Sequence, residues 1–218
     1  MATARLDGQY PARLTVDYPE RLDRLTTLLR IIWVIPIAIV LAIVSGAGAS
    51  TTTTTTSGGT QTVQTAGMTI SASLSFATAL MLIFRRRYPR WWFDFQLALA
   101  RFSYRVGSYI ALLRDEYPST EDEQAVHLEL DYPDAMGDLN RWLPIVKWLL
   151  AIPHYIVLVF LVLFAFIAIV VAWFAILVTG RYPRALFDFV VGVGRWGLRV
   201  QAYAFLLITD RYPPFSLE

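Results

Sequence analysis

The chain has 218 residues, of which 56% are hydrophobic, and its mean hydropathy is +0.49. These values favour an integral membrane protein over a soluble domain. The formal net charge of +2 gives no electrostatic basis for nucleic-acid binding. A chain without cysteine can hold no disulfide, zinc–thiolate or iron–sulfur site.

Two short segments of the chain have the alternating pattern of half-buried β-strands. From Tyr10 to Tyr18, apolar Leu14 and Val16 alternate with polar side chains, and residues 126–131 alternate in the same way. A lone strand would leave its backbone groups unpaired, so the two are predicted to pair at the membrane surface. Residues 1–24 lack the apolar core of a cleavable signal peptide, so the first membrane span is expected to be its own signal anchor.

The first half contains two apolar stretches separated by a low-complexity tract. Residues 28–44 are almost wholly apolar apart from Arg30 and predict a span near 25–46, which Pro36 is expected to kink. An uncharged Thr- and Gly-rich tract follows. It cannot bury enough apolar surface to fold alone and is expected to be a flexible loop. A second span is predicted near 67–86.

Several motifs of the first half of the sequence recur in the second half. Asp17-Tyr18-Pro19 recurs as Asp131-Tyr132-Pro133, and Arg87-Tyr88-Pro89-Arg90 recurs as Arg181-Tyr182-Pro183-Arg184. This recurrence predicts two tandem repeats, residues 1–118 and 119–218. The second lacks the Thr-rich tract, and its apolar stretch of 36 residues, from Ile145 to Gly180, is too long for one span. Two short spans near 143–161 and 163–180, joined by a tight turn, are therefore predicted.

A segment with one charged face follows each predicted hairpin. Asp94, Arg101 and Arg105 recur at helical spacing in an aromatic-rich segment. The pattern predicts amphipathic helices over 90–114 and 184–208 that lie in the membrane interface. If these helices instead crossed the bilayer, the chain would have six spans in an inverted repeat. That alternative places one Arg-Tyr-Pro-Arg motif on each side of the membrane, against the positive-inside rule.

The fold class expected from these patterns is an all-α integral membrane protein with a small cytoplasmic β element. Each of its two repeats would be a transmembrane hairpin followed by an interfacial helix. Arginine clusters flank the predicted spans on one side only, so both termini are expected in the cytoplasm of a multi-pass protein.

The candidate site residues are the charged faces and the arginine clusters beside the spans. The charged faces are predicted either to form a salt network between the repeats or to contact lipid headgroups. A substrate or ion site is a third possibility. They comprise Asp94, Arg101, Arg105, Asp188, Arg195 and Arg199. The membrane-surface basic cluster comprises Arg85, Arg86, Arg87, Arg90, Arg181 and Arg184.

No catalytic, cofactor or metal site is predicted, because no such constellation appears in the sequence. His154 lies within an apolar stretch directly after Pro153. Metal or haem ligation would need further ligands, and the only other histidine is His127. A helix–helix hydrogen bond is therefore the expected role of His154.

Several segments of the second half resemble a bacterial membrane family called domain of unknown function 4389. They are Asp131-Tyr132-Pro133, Trp148 to His154, Thr179 to Pro183, Leu186 to Phe189, Arg195-Trp196 and Asp210 to Phe215. The first half is looser, since Ile37 replaces the histidine and the Thr-rich tract is inserted. The resemblance implies a bacterial plasma membrane and tandem copies of the module, and it implies no activity.

The function expected from the sequence is that of a non-enzymatic accessory or scaffold protein. Its partners would be the bilayer, including anionic lipids, and another membrane protein or a second copy of itself. The alternative is a small transporter, channel or lipid-binding protein that uses the arginine-rich interfacial helices.

Overall fold

The computed structural model describes residues 9–45, 51–56, 59–64, 70–120, 122 and 124–218. Over these residues the chain is mostly helical. Its strands are β1 (Ala12–Val16), β2 (Thr51–Thr56), β3 (Gly59–Gln64) and β4 (Val126–Leu130). Its helices are α1 (Arg24–Ser45), α2 (Ile70–Leu80), α3 (Arg90–Ile110), α4 (Leu143–Leu150), α5 (Ile152–Thr179) and α6 (Arg184–Ala204), and a π-helical turn over Met81–Arg85 continues α2.

The two predicted strands pair with each other. β1 and β4 are antiparallel, with Leu14 opposite Leu128 in the middle of the register. Both leucines are buried, while Thr15 and His127, opposite one another on the other face, are exposed. The alternation that predicted the strands therefore separates an inner apolar face from an outer polar face.

Each strand packs on the helix that belongs to the other half of the sequence. β1 lies against α6, and β4 lies against α3. The Nε atom of Arg195 donates to the carbonyl oxygen of Leu14 at 2.9 Å, and the Nε atom of Arg101 donates to that of Leu128 at 3.0 Å. Two arginines at equivalent positions in the sequence thus bind two opposed residues of the sheet.

The Tyr-Pro pair that follows each of these strands also contacts the other half of the sequence. The hydroxyl of Tyr18, just after β1, donates to the carbonyl of Tyr182, and that of Tyr132, just after β4, donates to the carbonyl of Tyr88. The Tyr18 ring meets Phe187 edge-on at 5.0 Å between centroids. Tyr132 meets Phe93 in the same way at 5.2 Å.

An arginine also covers each of these tyrosines. The Cζ atom of Arg184 lies 4.5 Å from the Tyr18 ring centroid, and that of Arg90 lies 4.5 Å from the Tyr132 ring centroid. These are cation–π distances. The contacts of the two halves therefore match position by position.

β1, α6 and α5 form three stacked layers whose axes run along a common direction. Along α6, the backbone carbonyl of Arg199 accepts a hydrogen bond from the Tyr10 hydroxyl, and Arg195 donates to the carbonyl of Leu14. Arg184, at the start of α6, covers the Tyr18 ring, so β1 runs antiparallel to α6. On the other side of α6, its C-terminal part packs against the start of α5, through the buried cluster that includes Ala151 and Tyr203. A short corner joins the end of α5 to the start of α6. α5 is therefore antiparallel to α6 as well, and α6 lies between the sheet and α5.

The turn predicted near residue 162 is wrong, because α5 is one unbroken helix of 28 residues. The predicted spans at 143–161 and 163–180 are instead the short helix α4 and this long helix. Between Tyr155 and Val178 the sequence contains no glycine, proline or polar turn former that would open the backbone. Apolar length alone indicated a hairpin, and local propensity favours continuation of the helix.

The Thr-rich tract also differs from the flexible loop that was predicted. β2 and β3 pair as an antiparallel hairpin, with Thr51 opposite Gln64. Threonine is β-branched and fits a pleated strand, so a run of threonines has strand propensity even when it cannot form a core. Residues 46–50, 57–58 and 65–69 lie outside the described residues, and with them the rest of the predicted loop and the start of the span predicted near 67–86.

One described helix, α5, is by itself long and apolar enough to cross a membrane. Within α1, the segments Arg24–Arg30 and Ile32–Ile43 meet the same criterion only together, and they are bent by 51°. The bend lies at residue 31, five residues before Pro36 and next to the turn whose carbonyl a proline ring crowds. Pro153 stands at the start of α5, just after the break from α4. The four predicted spans are thus not reproduced.

Truncation of Leu14 tests whether the exchanged strand stabilises the whole fold. Leu14→Ala removes a buried side chain and should lower the free energy of unfolding in detergent by about 2–5 kcal/mol. Thr15→Ala, next to it on the exposed face, should change that energy by less than about 0.5 kcal/mol. Denaturant titrations of both variants provide the measurement. Equal effects would mean that β1 is not packed on α6.

Candidate membrane-binding surface

The layer that contains α5 exposes large apolar side chains. Along α5 nearly every outward residue is apolar, and Val178 is 75% exposed. α1 and α4 extend this surface with further exposed side chains, among them Leu25, Trp33, Ile43, Trp148 and Leu149. A soluble monomer rarely exposes a contiguous apolar patch of this extent. The surface is therefore suited to contact lipid or another membrane protein.

The opposite face of the molecule, the outer face of the sheet, is polar and charged. Arg13 on β1 binds Asp131 at 2.8 Å and Glu129 at 3.1 Å. The hydrogen bond that Arg13 donates to the Asp131 carboxylate raises the pKa of Arg13 above its usual value, so this guanidinium is held charged. His127 Nε2 lies 3.3 Å from a carboxylate oxygen of Asp17. These groups require water, and they lie across α6 and α3 from the apolar layer.

Exposed arginines lie at the corners where the long helices end. Arg85, Arg86 and Arg87 are all exposed; Arg85 is the last residue of the π-helical turn, and the other two follow it directly. Arg86 has a left-handed backbone conformation, with φ of 48°, and its N–H bonds the carbonyl of Leu82 to end the turn. These arginines line an open cavity of about 1110 Å³ together with Phe84 and Asp134.

The equivalent corner after α5 has a smaller arginine-lined cavity. Arg181, Arg21 and Arg24 line a space of about 550 Å³ beside Gly180. Gly180 has φ of 71° and ends α5 in the left-handed conformation that glycine adopts without strain. The predicted basic cluster is thus divided between two corners, one at each end of the layer. Arg90 and Arg184 cover Tyr132 and Tyr18 at these corners.

The two carboxylates of the predicted charged faces do not form the predicted salt network. Asp94 is exposed and makes no ion pair within the described part of the chain. Asp188 is 63% exposed at its side chain, and its nearest cation is Arg184 at 3.9 Å, four residues earlier on the same helix. A pair this exposed contributes little to stability.

The arginines of the charged faces bind backbone carbonyls instead. Beyond the bonds of Arg101 and Arg195 to the strands, Arg105 Nη1 donates to the carbonyl of Ser119 at 2.7 Å, and Arg199 Nη1 donates to that of Ser216 at 3.3 Å. Arg199 is buried, and burial followed by the neighbouring Arg195 lowers its pKa. These contacts give the four arginines a structural role. Contact of the charged faces with lipid headgroups stays a prediction.

Two buried cations were missed by the sequence analysis. Arg30 is 3% exposed; it forms an ion pair with Asp115 and donates to the carbonyl of Tyr109 at 3.0 Å. Lys147 is fully buried; its Nζ atom lies 2.6 Å from Asp210 and 2.8 Å from the carbonyl of Thr209.

Each of these cations also lies over a tyrosine ring. Arg30 covers Tyr109 at 4.5 Å, and Lys147 covers Tyr203 at 5.3 Å. A sequence signal was present, because each cation stands six residues before Pro36 or Pro153 and each carboxylate two residues before a Tyr-Pro pair. In both halves of the sequence, therefore, a cation within an apolar stretch recurs together with the carboxylate that it pairs with.

His154 makes the helix–helix hydrogen bond expected of it. Its Nδ1 atom accepts from the indole N–H of Trp196 on α6 at 3.0 Å. The ring stacks on Phe215 at 4.0 Å between centroids and is fully buried. Among the described residues, no group of three or more histidine, cysteine or acidic side chains is placed to hold a metal ion. His154 therefore anchors the segment after α6 to the start of α5.

Comparison with known proteins gives one match. The model of the family Domain of unknown function (DUF4389) matches residues 143–216, about a third of the chain, which comprises α4, α5, α6 and the segment after α6. One copy of the domain is found, in the second half. No curated protein and no solved structure matches the chain. The resemblance seen in the sequence is thus supported over this region.

Removal of Asp210 tests whether the buried pair Lys147–Asp210 contributes more to stability than the exposed pair Arg184–Asp188. Asp210→Ala leaves Lys147 buried without its carboxylate, and breaking such a pair costs about 3–5 kcal/mol. Asp188→Ala is the matched control and should change stability by less than about 1 kcal/mol, because Asp188 is exposed. Thermal unfolding in detergent compares the two.

A double variant separates loss of the pair from a general folding defect. Lys147→Met combined with Asp210→Ala removes both charges and should recover part of the lost stability. If Asp188→Ala were the more harmful change, the charged face of α6 would carry a structural network after all.

Proposed function

We propose that this protein is a non-enzymatic accessory or scaffold protein bound to a bacterial plasma membrane. The observation that carries the proposal is the continuous apolar surface over α1, α4 and α5, opposite a polar sheet. Arginines that sequence reasoning offered as a site are engaged with backbone carbonyls, which supports a structural protein. The polar face would be presented to the cytoplasm, together with both termini, since the arginine corners follow the positive-inside rule.

We also propose that the chain is a tandem of two copies of one module. Support comes from contacts that match in pairs, from the strand-binding arginines to the buried cations over tyrosine rings. A multi-pass arrangement would need a hairpin in each copy, and the unbroken α5 does not favour one. In this proposal the strand of each copy packs on the amphipathic helix of the other copy.

A lipid-binding role is a second candidate, favoured by one observation. The cavity beside Arg85, Arg86 and Arg87 also contains the exposed side chain of Phe84, so charged and apolar groups meet at one place. Anionic headgroups with acyl chains would satisfy both kinds of group. In this role the protein would bind specific lipids and need no protein partner.

Purification of the full chain in mild detergent, followed by mass spectrometry of co-eluting molecules, distinguishes the two roles. A stoichiometric protein partner is the result expected for an accessory or scaffold protein. A reproducible lipid with no protein would support lipid binding and overturn the first proposal. A turnover product formed from a co-purified small molecule would contradict a non-enzymatic role.

Charge removal at the first corner should weaken binding to anionic vesicles. Arg85→Gln combined with Arg87→Gln removes two exposed charges, each worth about 1 kcal/mol near an anionic surface, so partition should fall about thirtyfold. Arg114→Gln combined with Arg211→Gln is the control with equal charge loss, since neither of these residues lines the cavity at this corner. Equal loss in the two variants, measured by vesicle flotation, would show that net charge alone matters.

Residues 119–218 expressed alone should form a homodimer. This fragment keeps β4 and α6, whose neighbours in the full chain are β1 and α3 from the other half. A second copy of the fragment can supply equivalents of both. Native mass spectrometry in detergent should then report a dimer, and a stable folded monomer would contradict the proposed exchange between equivalent modules.

A further inference from the structure

The layer order of the fold bears directly on how it meets a bilayer. β1, α6 and α5 are stacked in that order and run along a common direction, as the contacts from Tyr10 to Tyr18 along α6 and from Ala151 to the corner at Gly180 along α5 require. α6 and the sheet must therefore make approximately the same angle with the membrane plane as α5 does.

A perpendicular α5 would carry charged groups of α6 and of the sheet into the bilayer. Arg195 stands near the middle of α6 and binds Leu14 near the middle of β1. On the outer face of the sheet at the same level lies the ion pair of Arg13 with Glu129. Strand edges and charged groups at that depth have no water to solvate them. Crossing by α5 is therefore incompatible with its own neighbours.

A parallel orientation satisfies every layer. α5 would then lie within the acyl chains, α6 and α3 at the boundary, and the sheet in water. One helix layer is about 10 Å thick, which fits within a single leaflet of about 15 Å of hydrocarbon. The exposed arginines at the two corners, including Arg87 and Arg181, would lie at the rim of the embedded surface, where anionic headgroups are found.

We propose that α5 lies in the plane of the membrane and that the apolar layer inserts into one leaflet of an anionic phospholipid bilayer without crossing it. This rests on the membrane association proposed above and replaces the predicted multi-pass topology with a monotopic one. The arginine corners supply charge complementarity to the leaflet, and the match of the two halves places a corner at each end of the layer.

Spin-label depth along α5 tests the orientation in the full chain. Since the chain has no native cysteine, Ile156, Leu163, Val170 and Val178, all exposed on α5, can each be changed to cysteine and labelled. The protein is placed in vesicles of phosphatidylcholine and phosphatidylglycerol, and relaxation by oxygen and by a water-soluble nickel complex reports depth. Thr15→Cys on the sheet is the control for a label in water.

An in-plane helix should give the four α5 labels depths that agree within about 5 Å, all in one leaflet. A crossing helix would give a steep gradient, because Val178 lies fifteen residues beyond Leu163, about 22 Å along the axis. That gradient would overturn the in-plane proposal and leave membrane association intact. Four water-exposed labels on protein that does not float with vesicles would overturn the association itself. Strong spin–spin broadening at all four sites would show a second copy covering the layer, and the lipid proposal would fail.

Labelling in whole cells with an impermeant thiol reagent provides an independent measurement. Ile152→Cys and Thr179→Cys mark the two ends of α5, and Val162→Cys marks its middle. The in-plane arrangement predicts that no position reacts from outside and that both ends react in inside-out vesicles. Reaction of one end from outside would show crossing. Reaction of Val162→Cys from outside would show the hairpin.

Discussion

The exchange of β1 and β4 between the two halves is the constraint on which the rest of the fold depends. A two-stranded sheet is marginal by itself, and it is stable here because its inner face rests on α6 and α3. Arg195 and Arg101 bind the central pair of residues in that sheet and so fix its position along both helices. Since each half supplies the strand that covers the other, neither half can bury its helix alone.

The cost of placing charged side chains in the bilayer decides which faces of the molecule contact water. A charged side chain at the bilayer centre costs about 2.5–3.5 kcal/mol even on insertion-derived scales. Burial of the Arg13 network together with Arg195 and Arg199 would therefore approach the whole free energy of folding, about 5–15 kcal/mol. Arg30 and Lys147 avoid this cost, since each has a carboxylate, a carbonyl and an aromatic ring as partners. The charges tolerated within the apolar layer are those with an oppositely charged side chain and a carbonyl as partners.

Much of the fold could be predicted from local patterns. Alternation in β1 and β4, helical spacing in α3 and α6, and the bend of α1 before Pro36 each depend on neighbours in the sequence, and the structure contains all of them. The exposure of Asp94 and Asp188, and the binding of the neighbouring arginines to backbone carbonyls, could not be predicted in this way. Surplus arginine indicated a network, but the guanidinium groups had another class of acceptor, the carbonyls of strands far away in the sequence, which side-chain counting does not reveal.

The Thr-rich insertion explains why a hairpin was expected in both halves. Pro36 and Tyr88 are separated by 52 positions, whereas Pro153 and Tyr182 are separated by 29. The packing of the helices in the two halves agrees with this difference in length. Ile37 on α1 packs with Phe102 on α3 as His154 on α5 packs with Trp196 on α6, and α2 meets the start of α3 through the bond from Trp92 to Thr78. The later part of α1 and the whole of α2 thus occupy, along α3, the place that α5 alone occupies along α6. The insertion interrupts one long helix, and the second half, which lacks it, keeps that helix whole.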